Sequence, residues 1–97
     1  TLDSIGRAIQ NYVEAQGFSV VRDLVGHGVG LGVHEDPQIP HYAIEESGLP
    51  NMELQAGMVI AVEPMVNMGD WRIKVGKDGF TFQTADNSLS AHFEHTI

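Results

Sequence analysis

Two histidines flank the most glycine-rich part of the chain, "GHGVGLGVHEDP" from Gly26 to Pro37, where glycine occupies every second position from Gly26 to Gly32. An imidazole can donate a hydrogen bond, carry a proton or bind a metal. Three familiar uses of such a run fail on spacing. A Walker loop needs a Lys followed by Ser or Thr, and a dinucleotide fingerprint needs G-x-G-x-x-G, whereas the run here is G-x-G-x-G-x-G. A zincin helix needs H-E-x-x-H; His34-Glu35 starts that way, but Gln38 stands where the second histidine should be and Pro37 would break the helix. What remains is a backbone that passes close to something, with His27 and His34 held beside it.

The other chemistry-bearing positions lie in apolar surroundings. Glu63 sits in "VIAVEPMV" and Glu94 in "HFEHTI". A carboxylate removed from water needs a cation, a metal or strong donors, because left unpaired it costs several kcal/mol or takes up a proton. A buried ion pair, or a strand-end glutamate turned outward, would satisfy Glu63 as well as a metal would. Strand alternation sets His92 and Glu94 on one face and Phe93 and His95 on the other. Carboxylates combined with imidazole suit a divalent transition metal such as Zn, Mn, Fe or Co. His27, Glu63 and Glu94, from three separate segments, are the candidate ligands.

These residues need elements to hold them. Leu2, Ile5, Ile9, Tyr12 and Val13 recur at helical spacing and Gly17 stands in the stop position, which predicts a helix from Leu2 to about Gln16. "FSVVRDLV" from Phe18 predicts a strand leading into the glycine run, and Pro37, Pro40 and Pro50 keep the stretch they punctuate extended or turned. Met58 to about Glu63 reads as a strand apolar on both faces, stopped by Pro64. "DWRIKVGKDGFTFQT" predicts two strands around a "KDG" turn, and "SAHFEHTI" a last strand. One helix followed by strands with antiparallel character is an α+β pattern, in one domain without internal repeats.

Composition narrows the function. The 97 residues include no cysteine, so neither a disulfide framework nor a thiolate metal site is available, as fits a reducing, cytoplasmic setting. The net charge of -8 is spread along the chain and repels phosphate backbones, which argues against nucleic acid as a partner. No apolar run approaches the ~20 residues of a membrane span, and no basic-then-apolar signal opens the chain. Helical patterning begins at once from Thr1, which suggests a chain cut from something longer.

Taken in order, "GHGVGLGVHEDP", "LQAGMVIAVEPMVN" and "KDGFTFQTADNSLSAHFEHTI" resemble the C-terminal half of the type I methionine aminopeptidases, the pita-bread metallopeptidases. The resemblance covers nearly the whole of residues 1–97 and implies half of a pita-bread fold, with one helix packed on a curved, mainly antiparallel sheet. It implies removal of the initiator methionine from the N-termini of nascent polypeptides at a site of two divalent ions, Co, Mn, Fe or Zn. His27 would be a terminal ligand to one metal. Glu63 would bind the same metal and handle the proton of the attacking water, and Glu94 would bridge both. His34 would donate to the scissile carbonyl, while Val33 and Phe80 would flank the methionine side chain. The glycines would let substrate and ligands share a cramped cleft and let His27 and His34 face one cavity.

Departures from that family qualify the resemblance. Its two aspartate ligands and a further substrate-contacting histidine lie in an N-terminal half that has no counterpart in this chain, so only a partial site is expected and the chain alone should be inactive. The family usually carries Trp at Phe80, Gln at His92 and often a basic residue at Leu31. His92 should look into the site as a polar pocket wall. The proline dipeptidases and aminopeptidases P, which typically have Gly where this chain has Met65, are the alternative enzymes; a non-catalytic pita-bread binding module is the alternative outside enzymes. The unpartnered sheet face would be covered by the missing half or by a second copy in a C2 homodimer.

Overall fold

The computed structural model describes all 97 residues. Helix α1 spans Leu2–Ala15. The Thr1 hydroxyl accepts the Ser4 N–H at 3.1 Å, satisfying a free donor of the first turn. At the other end Gly17 takes a φ of +82°, and the N–H groups of Gly17 and Phe18 return to the carbonyls of Glu14 and Val13. That pair of bonds is a Schellman ending, which requires the left-handed residue glycine supplies. The buried stripe is Leu2, Gly6, Gln10 and Val13. Tyr12, expected on the apolar face, is 73% exposed. The reason is that backbone packs on the helix: the Tyr42 carbonyl occupies the place of a Gly6 side chain, and the Gln10 amide oxygen accepts the Ala43 N–H at 2.7 Å.

The strands are short and antiparallel. β1 (Ser19–Val20), β5 (Met65–Asn67) and β8 (Ser90–His92) form one sheet in the order β1-β5-β8. β2 (Gly26–Gly28), β3 (Glu35–Ile39), β4 (Ile60–Val62) and β9 (His95–Thr96) form a second in the order β3-β2-β4-β9. β6 (Ile73–Val75) and β7 (Phe82–Thr84) make the expected hairpin, with Gly79 at φ +78° in its turn. The strand predicted from Phe18 is limited to β1, because the chain turns at Arg22, whose guanidinium bonds back to the Val20 carbonyl at 2.6 Å. The proline-bearing stretch forms β3, which is possible because β3 is an edge strand.

The single sheet expected from the sequence is split, and the split falls between the strand segments that flank Glu63 and Glu94. Ile60 and Ile97 exchange both backbone hydrogen bonds, so in the alternating ladder the position of Pro64 should donate to Phe93. Proline has no N–H, and the ladder opens there. The predicted last strand accordingly divides into β8 and β9, which belong to different sheets. The pairs Val62↔His95 and Met65↔His92 keep one register on both sides of the gap. Around it lie two core clusters, Leu2, Ile39, Ile44 and Ile60 in one and Val13, Val20 and Tyr42 in the other.

Candidate metal centre

The register across the gap sets Glu63 directly opposite Glu94. Side chains of such a pair share a face, and like charges there repel unless a cation or proton lies between them. His27 comes from β2, the strand next to β4. It pairs with Ala61, so its ring lies on the same face as Glu63 two residues on, above a methyl group that leaves it room. His27 Nε2 is 3.0 Å from Glu63 Oε1 and 4.0 Å from Glu94 Oε1. One ligand atom from each of the three residues lies within 4.8 Å of the other two.

The tautomer of His27 is set by its neighbour. Nδ1 lies 2.9 Å from the Gly28 carbonyl oxygen, which can only accept, so Nδ1 carries the proton. In the neutral ring Nε2 then presents a lone pair to two carboxylates, and it is buried without a hydrogen-bond partner. Such an atom calls for a cation, either a proton or a metal, and an imidazole oriented by Nδ1–H to a carbonyl is the common arrangement of a metal-binding histidine. The mixed nitrogen and oxygen donors fit Zn, Mn, Fe or Co.

His34 reaches the same place by way of the glycine run. Its ring centroid is 4.1 Å from that of His27. The Glu35 carboxylate accepts the Gly32 N–H at 2.9 Å, closing the loop, and a side chain on Gly30 would overlap that carboxylate. Side chains on Gly26 and Gly28 would meet the carbonyls of Ala61 and Asp36. The glycines thus admit the chain's own neighbouring backbone and Glu35, where the sequence suggested substrate. Both histidines border a cleft of about 700 Å³ between Asp23–His27 and His34–Asp36.

The remaining expected residues divide. His92 Nε2 lies 3.3 Å from Glu63 Oε2, so Glu63 stands between two imidazoles. His92 and Glu94 both reach Glu63 or His27 although the strand carrying them is interrupted at Phe93. Val33, 74% exposed, and Phe80, 84% exposed, stand outside the cleft beside His27 and His34. Sequence reasoning missed His41. It is 1% exposed, and its Nε2 accepts the Glu63 backbone N–H at 3.2 Å. Burial, aided by the charge of His92, pushes its pKa down to about 4, which keeps the ring neutral and able to accept at pH 7. Its only sequence cue was a histidine between Pro40 and Tyr42.

Known proteins match this arrangement over its full extent. The sequence profile of metallopeptidase family M24 matches residues 1–97. A methionine aminopeptidase of Clostridium perfringens is 56% identical over 96 residues, covering 99% of this chain and 37% of the relative. One from Salmonella typhimurium is 54% identical over 96 residues, covering 99% of this chain and 35% of the relative. Among solved structures, methionine aminopeptidase from Thermotoga maritima superposes with a TM-score of 0.87 at 53% identity, over 99% of this chain and 37% of that one. The Rickettsia prowazekii enzyme gives 0.89 at 47% identity, over 99% of this chain and 38% of that one. The chain therefore spans little more than a third of the length of the relatives it matches, and its α+β fold is the fold of that part of them. No helix is long and apolar enough to cross a membrane. Profile, sequence and fold agree from one end of the chain to the other, and the protein belongs to metallopeptidase family M24.

Proposed function

We propose that residues 1–97 are the C-terminal part of a methionine aminopeptidase catalytic domain, acting in the cytoplasm on the N-termini of nascent polypeptides. The observation that carries this is His27 Nε2, buried without a hydrogen-bond partner and facing Glu63 and Glu94. His27, Glu63 and Glu94 would hold part of a two-metal site, and the other ligands would come from outside these residues. The bound ions would lower the pKa of water and polarise the scissile carbonyl. The reaction adds water across the first peptide bond, releasing methionine and leaving a new N-terminal amine on the polypeptide. Glu63, which stands between His27 and His92, would take the proton of the attacking water. His34, beside His27, would donate to the carbonyl oxygen as charge develops on it. By the family resemblance Val33 and Phe80 would flank the methionine side chain, and His92, 3.3 Å from Glu63, would line the pocket wall.

The test is a titration of the chain with Mn²⁺ followed by electron paramagnetic resonance. Weak saturable binding that disappears in His27→Ala and Glu63→Gln is expected. Binding unchanged in both variants, or none at millimolar metal, would exclude the metal centre.

The same reading needs a cover for the sheet. Phe18, Val66, Met68, Leu89 and Ala91 line an open apolar groove beside β8. Apolar surface left in water costs ~25 cal/mol per Å². The remainder of the domain would cover it, or, for this chain alone, a second copy in a C2 dimer. Sedimentation with and without metal tests it, and a monomer at all concentrations would exclude the dimer.

A further inference from the structure

We propose that His41 is a positioning residue for Glu63: its neutral ring accepts the Glu63 N–H and so fixes where the Glu63 carboxylate leaves the strand. The inference rests on reading His27, Glu63 and Glu94 as a metal centre.

Three features of the backbone point to it. β4 ends at Val62, and Pro64 prevents the ladder with β8 and β9 from running on, so Glu63 lies in a stretch of backbone without sheet pairing. On its other side the register His27↔Ala61 would bring Val25 opposite Glu63, but β2 begins only at Gly26. His41 Nε2 fills the vacant acceptor position at 3.2 Å. The ring reaches it because Gly26 has no side chain; a Cβ there would lie 3.0 Å from His41 Nε2. Gly26 is adjacent to His27, so one glycine lets the metal-ligand strand and the Glu63 support lie side by side.

The tautomer of His41 points the same way. Glu63 N–H is a donor, so Nε2 of His41 is the accepting nitrogen and the ring proton sits on Nδ1. Nδ1 is buried and has no partner. A side chain kept merely for packing would be better served there by an apolar residue that leaves no polar atom unpaired. What an apolar residue lacks is the acceptor for Glu63.

The experiment compares His41→Gln, whose amide oxygen can occupy the Nε2 position, with His41→Met, which has similar length and no comparable acceptor. Metal affinity is read by Mn²⁺ titration at conditions where circular dichroism shows each variant folded. The Met variant should lose roughly 10- to 100-fold in affinity, the usual effect of removing a group that supports a ligand. The Gln variant should stay within a few-fold of the parent. Equal loss in both variants, or parental affinity in the Met variant, would overturn the proposal. Nitrogen-15 spectra of the metal-free parent provide a second readout that survives misfolding of the Met variant. They should show a His41 ring protonated at Nδ1 and a scalar coupling between Glu63 N and His41 Nε2; a ring protonated at Nε2 refutes the role. If the parent binds no metal, the metal centre fails, while these spectra still decide whether His41 holds Glu63.

Discussion

Glu63 and Glu94 face each other across the gap that Pro64 opens in the ladder, and His27 Nε2 approaches Glu63 to 3.0 Å and Glu94 to 4.0 Å. Two carboxylates so placed repel without a cation and become an asset with one. In chelator, Glu94→Gln should therefore raise the stability of the chain by ~0.2 to 1 kcal/mol, the scale of a directly opposed like-charge pair. With saturating Mn²⁺ the order should reverse, since the parent gains by mass action and the variant gains less. Thermal unfolding in the two buffers measures both; the same order in both would contradict the metal centre.

Gly6→Ala and Gly26→Ala should each destabilise the fold, against the trend for glycine in regular structure. Alanine normally stabilises a helix interior by up to about 1 kcal/mol over glycine. Here a methyl on Gly6 overlaps the Tyr42 carbonyl, and one on Gly26 overlaps the Ala61 carbonyl and presses on His41. Overpacking against backbone costs ~1 to 3 kcal/mol. Urea midpoints should fall for both, and Gly26→Ala should in addition weaken Mn²⁺ binding.

The β6–β7 turn should resist acid further than an ordinary aspartate allows. Asp78 accepts the Thr81 hydroxyl at 2.5 Å and the N–H groups of Thr81 and Phe80, both at 2.9 Å, and these bonds bring its pKa down from 3.8 to about 2. A carboxylate depressed in the folded state contributes stability that is complete above its unfolded pKa and is lost as pH falls through the folded one. The window therefore runs from about 4 down to about 2. The Phe80 and Thr81 amide resonances should titrate at its lower end; a midpoint near 3.8 would show that the bonds do not form in solution.

The 97-residue chain should release no measurable methionine from a Met-Gly peptide with Co²⁺ or Mn²⁺ added. Two ions ~3.5 to 4 Å apart need more ligands than His27, Glu63 and Glu94 provide. A coupled assay for free methionine tests this, and turnover near that of a full-length relative would show that these residues suffice.

Much of this was legible in the sequence, for local reasons. The helix was readable because its apolar residues recur at helical spacing and Gly17 marks its end, and the β6–β7 hairpin because its turn lies in "KDG". His27, Glu63 and Glu94 could be named as candidate ligands because imidazole and carboxylates in apolar surroundings require an explanation wherever they occur. The motifs around them carried the family resemblance. Tertiary structure decided what depends on partners distant in sequence. That Tyr12 faces solvent while Gly6 and Gln10 face the core depends on the carbonyl and N–H of the Tyr42–Ala43 segment. That the glycine run admits backbone depends on β4 and β3 lying beside it. His41 could not be recognised because its role lies in one hydrogen bond to a residue 22 positions away. A sequence shows which groups can donate, accept or bind; which of them meet is set by strand register, and here the pairs Val62↔His95 and Met65↔His92 set Glu63 opposite Glu94, while His27↔Ala61 adds His27 on the same face.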